Sequence, residues 1–541
     1  MKLRRRSVLK AILAGVLLVA AGIRGRLATA DRQAVFHHGI ASGDPTGHSV
    51  ILWTRVTVVA EQPVRVRWRV SRNREMTRIV AHGRARTDAS KDYTVKVDAR
   101  GLAAGREYYY QFSIDDQHSP VGRTRTLPNG NPESVRLAIV SCANYPAGFF
   151  NVYREIAGRS DLHAVVHLGD YIYEYGANGY GSDKAGLLGR TSEPATELLT
   201  LADYRMRHAQ YKGDRDSQAM LASLPLIAVW DDHEIANDAW RGGAKGHGED
   251  DGEWAGRRDA AIQAYFEWMP IRGRPRGGET RIYREFRFGR LASLIMLDTR
   301  LYGRDRQPDA DPDVTEECVT AAMENPERRM LGGHQERWFR RRLQRATKTT
   351  WQLIGQQVLV AELILPDFEP LIDTSKPSAI PMEQLQRIIE RSKNNPPAVL
   401  DAWSGYPLAR DDFYADLGKY AKNAVILSGD LHAHLAGDLI PAAADRPVAV
   451  EFLTGAVSSP VLSDALPERE PNSVRDGVLL QNPWLTYLDI KHRGWLCVTL
   501  TDDTCTGEWH LIDTVESRDY RSWLGKTLSV HAGRIGKGLS G

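Results

Sequence analysis

The chain has 541 residues, of which 42% are hydrophobic and 26% are charged, as in an ordinary folded protein. This length exceeds what one hydrophobic core usually serves, so two domains are expected. A net charge of only +3 argues against a protein that coats a polyanion, and no specific nucleic-acid partner is predicted. Four cysteines exclude a disulfide framework, and no segment after residue 30 is apolar for long enough to span a bilayer.

The N-terminus has the pattern of an export signal. Basic residues at positions 2–6 precede an apolar run over 11–22 that is too short to span a bilayer, and small residues at 28–30 form a cleavage site. The string RRSVLK at 5–10 resembles a twin-arginine signal. Residues 1–30 are therefore predicted to be a twin-arginine-type signal peptide read by that export machinery, with an uncleaved anchor as the alternative. The mature protein is expected to be periplasmic, cell-wall-associated or secreted, without a stable transmembrane segment.

The first part of the mature chain has the period-two alternation of β-strands. Strand candidates are 49–54, 64–70, 92–97 and 107–114. Short strands at this spacing indicate a β-sandwich, and the arrangement around 102–110 resembles a fibronectin type III-like module. The breaker sequence 128–132 is the expected linker. We therefore predict an N-terminal all-β sandwich domain over residues 31–130.

The pattern changes after this linker. Apolar runs now alternate with helical stretches such as 257–268 and 335–346, and the runs end at polar or ionisable residues. This layout is typical of an α/β domain whose functional site collects at strand ends, here over residues 133–541. The apolar runs cover 135–140, 163–168, 224–230, 292–297, 351–355 and 424–427, and the polar residues that follow them include Cys142, Asp170, Asp231, Asp298, Gln356 and Asp430.

Two of these strand ends carry groups that bind metals in other proteins. Asp170 follows a glycine, and Tyr173 shares its face if the chain enters a helical turn there. A capping Asp beside a packed Tyr is the alternative. The acidic segment 230–238 costs stability through charge repulsion unless a cation neutralises it, and a solvated acidic loop is the alternative. Its candidate functional residues are Asp232, His233 and Asn237, of which Asn237 offers the neutral, hard oxygen that suits calcium.

Two further strand ends complete the set of candidates. In an extended chain Asp430, His432 and His434 point to one face. The alternative is a capped strand end with at most one functional histidine. Cys142 ends its own strand, and a lone cysteine of this kind is more often a small buried hydrophobe than a ligand.

Taken together, these strings resemble the PhoD-like alkaline phosphatase (alkaline phosphatase D) family of the metallophosphoesterase superfamily. The resemblance covers nearly the whole mature chain and implies an αββα metallophosphoesterase sandwich. One departure is Asp238, where family members commonly have a second asparagine. The strings that carry the resemblance are FHHGIASGDP at 36–45, LWTR at 52–55, SC at 141–142, GDYIYE at 169–174, WDDHEIAN at 230–237, QQ at 356–357, SGDLH at 428–432, VEFLT at 450–454, SSP at 458–460 and RGW at 493–495.

The resemblance implies a mixed metal centre with ferric iron beside calcium. The implied iron ligands are Cys142, Asp170, Tyr173 and His432. The implied calcium ligands are Asp170 as a bridging group, Asn237 and Asp430, and Asp232 is a further candidate metal ligand. Anionic thiolate and phenolate donors suit a strongly charged ferric ion, and hard amide and carboxylate oxygens suit calcium.

The function implied by the resemblance is that of an exported, metal-dependent phosphoesterase. Its substrates are expected to be small phosphate monoesters, with phospholipid or nucleotide-type diesters as further candidates. Arg257 is predicted to clamp phosphate, because 257–270 resembles the family's basic helix and a guanidinium matches phosphate oxygens, and Arg258 is its rival. His233 is predicted to protonate the leaving group. The alternatives are a phosphodiesterase or phospholipase D-type hydrolase on the same scaffold, and a non-catalytic β-sandwich binding protein.

Overall fold

The computed structural model describes residues 35–58, 62–309, 314–374, 382–466 and 470–541. The predicted signal peptide lies outside these residues. The strands are β1 (Ile40–Gly43), β2 (Ser49–Arg55), β3 (Val64–Ser71), β4 (Ile79–Thr87), β5 (Thr94–Arg100), β6 (Glu107–Ile114), β7 (Gln117–His118), β8 (Gly122–Arg125), β9 (Val135–Val140), β10 (Ala164–His167), β11 (Pro225–Ala228), β12 (Ala239–Trp240), β13 (Gly243–Ala244), β14 (Arg284–Phe288), β15 (Ala292–Met296), β16 (Trp351–Gly355), β17 (Ala424–Ser428), β18 (His434–Leu439), β19 (Ala449–Leu453), β20 (Leu485–Asp489), β21 (Arg493–Leu500), β22 (Thr504–Ile512) and β23 (Ser522–His531).

Helices connect many of these strands. The α-helices are α1 (Asn151–Ala157), α2 (Ala185–Leu188), α3 (Leu201–Gly213), α4 (Arg215–Ser223), α5 (Trp254–Trp268), α6 (Glu316–Met323), α7 (Gly332–Ala346), α8 (Met382–Ser392), α9 (Pro407–Tyr420), α10 (Leu462–Ala465) and α11 (Glu470–Gln481). Short 3₁₀ helices cover Ala89–Lys91, Glu249–Asp251, Trp403–Gly405 and Ile535–Lys537. Within the part of the chain that the structure describes, no helix has the length and apolar character needed to cross a membrane.

Two large mixed sheets dominate the fold. One has nine strands in the order β23-β22-β21-β9-β10-β11-β1-β2-β5, and the other has seven in the order β14-β15-β16-β17-β19-β18-β20. The neighbours β9, β10, β11 and β1 run parallel, as do β15, β16, β17 and β19. The ends of the two parallel sets meet, because Val457 donates to the carbonyl of Ser141 at 3.0 Å.

The two sheets pack face to face with helices outside. Val425 and Leu427 of β17 belong to the same buried cluster as the nine-stranded sheet, whereas their neighbour Ile426 packs in a second cluster with helices α7 and α9. This alternation follows from the pleat, which points successive side chains to opposite faces. Helices α1, α3, α4 and α5 contribute side chains to the first cluster. The layers therefore run helix, sheet, sheet, helix.

The N-terminal region is a sandwich that shares one of its sheets with the rest of the chain. A smaller sheet of β4, β3, β6, β7 and β8 packs through a third buried cluster onto the β1, β2 and β5 end of the nine-stranded sheet. Strand β1 pairs in parallel with β11, with Ser42 opposite Pro225. The predicted boundary at residues 130–133 therefore does not separate two sets of hydrogen-bonded strands.

A buried ion pair fastens this shared sheet. The carboxylate of Asp44, at the end of β1, is fully buried and accepts from the guanidinium of Arg284 at 2.6 and 2.9 Å and from the amide of Arg272 at 2.7 Å. Arg284 also donates to the carbonyl of Ala228 at the end of β11. One carboxylate thus connects the N-terminal segment to the neighbouring strands.

The local predictions of strands and helices are largely confirmed. The predicted runs 107–114, 135–140 and 351–355 coincide with β6, β9 and β16. Helix α5 begins at Trp254, three residues before its predicted start, and α7 begins at Gly332 rather than at residue 335. All four cysteines are free thiols, as expected.

Candidate metal centre

The candidate ligands converge where the parallel strands end. Cys142 follows β9, Asp170 follows β10, Asp231 and Asp232 follow β11, and Asp430 follows β17. All are buried except Asp430, which is partly exposed. Parallel strands of one sheet have their carboxyl ends at the same edge, and the contact between the two sheets brings both edges together.

Unusual backbone turns aim these side chains. Cys142, Asp170, Asp430 and His432 have φ angles of 61°, 56°, 67° and 55°, in the left-handed region that non-glycine residues seldom adopt. Such conformations cost about 1–3 kcal/mol each and persist only where the surrounding structure enforces them. Only glycine fits at position 169, because a Cβ there would lie 2.3 Å from the Cβ of Asp231.

A first donor set contains one sulfur, one imidazole, one carboxylate and one phenol. Ligand atoms of Cys142, Asp170 and His432 lie within 4.8 Å of one another. The Tyr173 hydroxyl donates to Asp170 Oδ2 at 2.9 Å and lies 3.2 Å from His432 Nε2 and 2.7 Å from Ser459 Oγ. The structure therefore brings together the four residues that the resemblance gives to iron.

A second donor set consists of carboxylates and shares Asp170 with the first. Ligand oxygens of Asp170, Asp231, Asp232 and Asp430 lie within 4.8 Å of one another. Asp170 Oδ1 and Asp232 Oδ1 are buried and accept no hydrogen bond from any described residue. A buried carboxylate oxygen without a partner is costly, so these atoms fit a site for cations.

The charges of this centre are not balanced by the protein alone. Burial, together with the nearby Asp232 and Asp401 carboxylates, raises the pKa of Asp430 to about 7. Burial is also the main cause that raises the pKa of Asp170 and Asp231 well above the usual range. A cation bound among these carboxylates would oppose the shift, because it favours their ionised forms.

Arg300 is the main cation of the centre, and the sequence analysis missed it. Its guanidinium is fully buried, donates to Asp231 and Asp401, and lies 3.5 Å from oxygens of Asp232 and Asp430. Arg300 stands two residues after Asp298, which the sequence marked as a strand end, and this position is the signal that could have identified it. Asp401 follows no strand and gave no such signal.

Two glutamates support the loops without entering a donor set. The Glu234 carboxylate accepts from the amides of Asp170, Tyr171 and Asp231 at 2.9, 2.6 and 2.7 Å. It thereby joins the loop after β10 to the loop after β11. The Glu174 carboxylate accepts from the amide of Asn237, near the other end of the acidic segment 230–238.

His233 and Asn237 both depend on Glu174. His233 Nδ1 lies 2.8 Å from Glu174 Oε2, and the His233 ring stacks on Tyr173 with ring centroids 4.2 Å apart. The amide of Asn237 donates to Glu174 Oε1 at 2.7 Å, and the Asn237 side-chain oxygen accepts from the Tyr175 hydroxyl at 3.2 Å. His233 also forms a possible ligand group with Asp170 and Asp232. His233 thus lies beside the donor sets, and Asn237 is tied to the same glutamate.

The predicted local geometry of two segments is wrong. Residues 430–434 are not extended, because the left-handed turns at Asp430 and His432 redirect the chain. His434 instead begins β18, where its Nδ1 accepts from the amide of Gly455 at 2.9 Å, and it belongs to neither donor set. No helical turn follows Asp170, although the Tyr173 hydroxyl reaches its carboxylate.

Arg257 does not have the surroundings that the phosphate-clamp prediction requires. Its guanidinium is 1% exposed and donates to Glu197 Oε1 at 2.6 Å, to the carbonyl of Gly246 at 2.9 Å and to the hydroxyl of Tyr204 at 3.2 Å. The Arg257 guanidinium is thus already bound by protein groups, and it holds the loop that contains Gly246 in place. The rival Arg258 pairs with Asp259 at 2.9 Å.

Comparisons with known proteins agree with this architecture. The model of a family described as PhoD-like phosphatase matches residues 137–509, and that of the PhoD-like phosphatase N-terminal domain matches residues 22–128. The chain is 33% identical to alkaline phosphatase D of Bacillus subtilis (strain 168) over 495 residues, which cover 89% of this chain and 78% of that protein. A solved structure of PhoD matches with a TM-score of 0.80 and 30% identity, covering 94% of this chain and 92% of that one.

The two-sheet fold and its edge of clustered ligands define a hydrolase of the phosphatase class. The chain belongs to the PhoD-like phosphatase family. This membership argues against the alternative of a non-catalytic binding protein.

Two buried carboxylates should stabilise the metal-free protein less as the pH rises. Burial raises the pKa of both Asp430 and Asp238 to about 7 in the folded state, against about 3.9 for an unfolded Asp. Because the folded state then binds more protons at these two groups, their stabilisation is complete below the unfolded pKa and is lost as the pH rises through about 7. In chelator, the double variant Asp430→Asn with Asp238→Asn should therefore gain more in urea midpoint over the wild type at pH 8 than at pH 5. Metal-loaded wild type should reduce this difference, and a gain that is the same at both pH values would contradict this account.

Proposed function

We propose that this protein is an exported, metal-dependent phosphoesterase that releases phosphate from small phosphate monoesters. The observation that carries the proposal is the pair of donor sets that share Asp170 at the edge where the two sheets meet. Two cations that share one carboxylate ligand would suit the in-line displacement of a phosphate ester. The helix–sheet–sheet–helix layering supports the assignment to an αββα metallophosphoesterase sandwich.

The donor chemistry supports iron in the first set and calcium in the second. Cys142, Tyr173, His432 and Asp170 would hold ferric iron through sulfur, phenol, imidazole and carboxylate donors. Asp170, Asp430, Asp232 and Asn237 would hold calcium through hard oxygens. When bound, the metals supply Lewis-acid activation of water and neutralise charge on the phosphoryl oxygens.

The protein side chains would orient the reacting groups. His233 is our candidate proton donor to the leaving oxygen, because Glu174 and the ring of Tyr173 hold its imidazole in one orientation beside the donor sets. Arg300 keeps the second set of carboxylates together through its contacts with Asp231 and Asp430. Its burial assigns it a positioning role rather than direct binding of phosphate.

Export is proposed from the sequence alone. Twin-arginine export carries proteins that are already folded, which fits a centre that has to be loaded with metal before export. The same proposal places the protein in the periplasm, in the cell wall or outside the cell.

The purified, metal-loaded protein should hydrolyse p-nitrophenyl phosphate and lose that activity in chelator. Asp430→Asn should lower kcat by about 10²-fold or more, the scale expected when electrostatic stabilisation of a reacting centre is lost. The exposed Asp116→Asn serves as a control for charge and should leave kcat unchanged. Faster turnover of bis(p-nitrophenyl) phosphate than of the monoester would favour the phosphodiesterase alternative. Full activity of Asp430→Asn would refute the proposed centre.

Cys142→Ala should remove bound iron while leaving the fold intact. Ferric iron bound to phenolate and thiolate absorbs visible light, so the wild type should be coloured and the variant colourless. Metal analysis and the visible spectrum check this, with circular dichroism as the test of folding. Cys318→Ala is the matched control, because Cys318 is exposed and belongs to none of the possible metal-ligand groups. Iron retained by Cys142→Ala would eliminate that thiol as a ligand.

Replacing Arg5 and Arg6 by Lys should block export. Precursor protein should accumulate in the cytoplasm, measured by fractionation and by the size of the chain in an immunoblot. Arg24→Lys with Arg26→Lys provides the control with the same chemical change near the cleavage site. Normal processing of the Arg5/Arg6 variant would show that the signal is read by another route.

A further inference from the structure

A basic cleft lies outside both donor sets. It has a volume of about 960 Å³, and its cationic lining consists of Arg241, Arg274, Arg276, Arg281 and the ring of His334. Glu279 is the acidic side chain on its wall. Arginines on a concave surface concentrate positive potential, because the field lines converge in the opening.

Two of the four arginines have no anionic partner within the described part of the chain. Arg274 and Arg276 are exposed, and neither forms an ion pair with a described residue. Arg241 pairs with Asp305 at 2.5 Å, and Arg281 lies over the rings of Tyr283 and Tyr302 at 6.0 and 5.8 Å. The cleft therefore carries an excess of positive charge that an anion would neutralise.

The start of helix α7 adds hydrogen-bond donors to the same wall. The helix has no side-chain cap, and the amides of residues 332–334 have no partner in the described part of the chain. Gly332, Gly333 and His334 line the cleft. Free amides at the positive end of a helix dipole favour an anion and add to the attraction of the arginines.

The cleft is built on the loops that carry the metal centre. Tyr302, which lines it, stands two residues after Arg300, so their Cα atoms are at most about 8 Å apart. Arg241, also in the lining, stands three residues after Asp238. These two loops are joined, because the amide of Arg241 donates to the carbonyl of Arg304 at 3.2 Å and Gln307 donates to the carbonyl of Asp238 at 3.0 Å.

We propose that this cleft binds a second phosphate group of the substrate while the scissile ester lies at the metal centre. The inference rests on the proposed phosphoesterase function and narrows its substrates to molecules that carry more than one phosphate. Planar guanidinium groups match phosphate oxygens in pairs, so Arg274 and Arg276 are the residues that select such substrates.

The test compares adenosine 5′-monophosphate with adenosine 3′,5′-bisphosphate. Wild-type protein should prefer the bisphosphate in kcat/KM by more than the factor of two that follows from its two ester groups. Arg274→Gln with Arg276→Gln should raise KM for the bisphosphate by about tenfold or more through the loss of charge-assisted hydrogen bonds, and should leave the constants for the monophosphate nearly unchanged. Arg84→Gln with Arg86→Gln is the matched control, since both residues are exposed on β4 and remote in the fold from this cleft.

The possible outcomes separate the two proposals. If the metal-loaded wild type hydrolyses neither nucleotide nor p-nitrophenyl phosphate, the proposed function fails. If it hydrolyses both nucleotides and the cleft variant matches the control, this inference alone is overturned. Calorimetric titration of Asp430→Asn protein with tripolyphosphate gives a readout without turnover. Binding should weaken when the two cleft arginines are also replaced, and unchanged binding would overturn the assignment.

Discussion

The candidate metal centre depends on one shared carboxylate. Asp170 belongs to the sulfur-containing donor set and to the carboxylate set, and it is completely buried with one oxygen unpaired. A group in this position cannot be ionised at low cost unless cations stand on both sides of it. The remaining features of the site, from the hydroxyl of Tyr173 to the guanidinium of Arg300, serve to orient groups around that carboxylate or to limit the repulsion among its neighbours.

Backbone strain is the second constraint on the site. Four of the residues that carry ligand atoms have left-handed φ angles, which local sequence preference alone would not produce. Tertiary contacts support these turns, and at Asp170 the Glu234 carboxylate receives three amides from two loops. These turns therefore lower the stability of the fold at the strand ends. The buried clusters between and outside the two sheets offset that cost.

Local patterns predicted much of this structure, and non-local contacts account for most of the failures. Strands β9 and β16 each correspond to an apolar run of a few adjacent residues, so the sequence predicted their limits correctly. The extended conformation assigned to 430–434 failed because nothing in the residue types there indicates a left-handed turn. The membership of β1 in the nine-stranded sheet depends on β11, which lies far away in the chain.

The candidate site shows the same division. Asp170, Asp232 and Asp430 stand at strand ends and could be proposed from their position, and Asn237 could be proposed from its hard amide oxygen. The assignment of Tyr173 to iron came from the family resemblance. Arg300 was not predicted because it stands two residues beyond the strand end at Asp298, and Asp401 was not predicted because it follows no strand. Arg257 was predicted to bind phosphate, but its guanidinium donates to Glu197 and to a carbonyl instead. The sequence around a basic residue on a helix does not reveal such partners.

The pairing of β1 with β11 has a consequence for how the chain is made. When the first hundred or so residues leave the ribosome, β1 can pair with β2, but its other edge stays open until the segment around Pro225 has been synthesised. Asp44 likewise cannot form its ion pair until Arg284 has been synthesised. The N-terminal sandwich therefore cannot reach its final set of contacts until β11 and Arg284 have been synthesised.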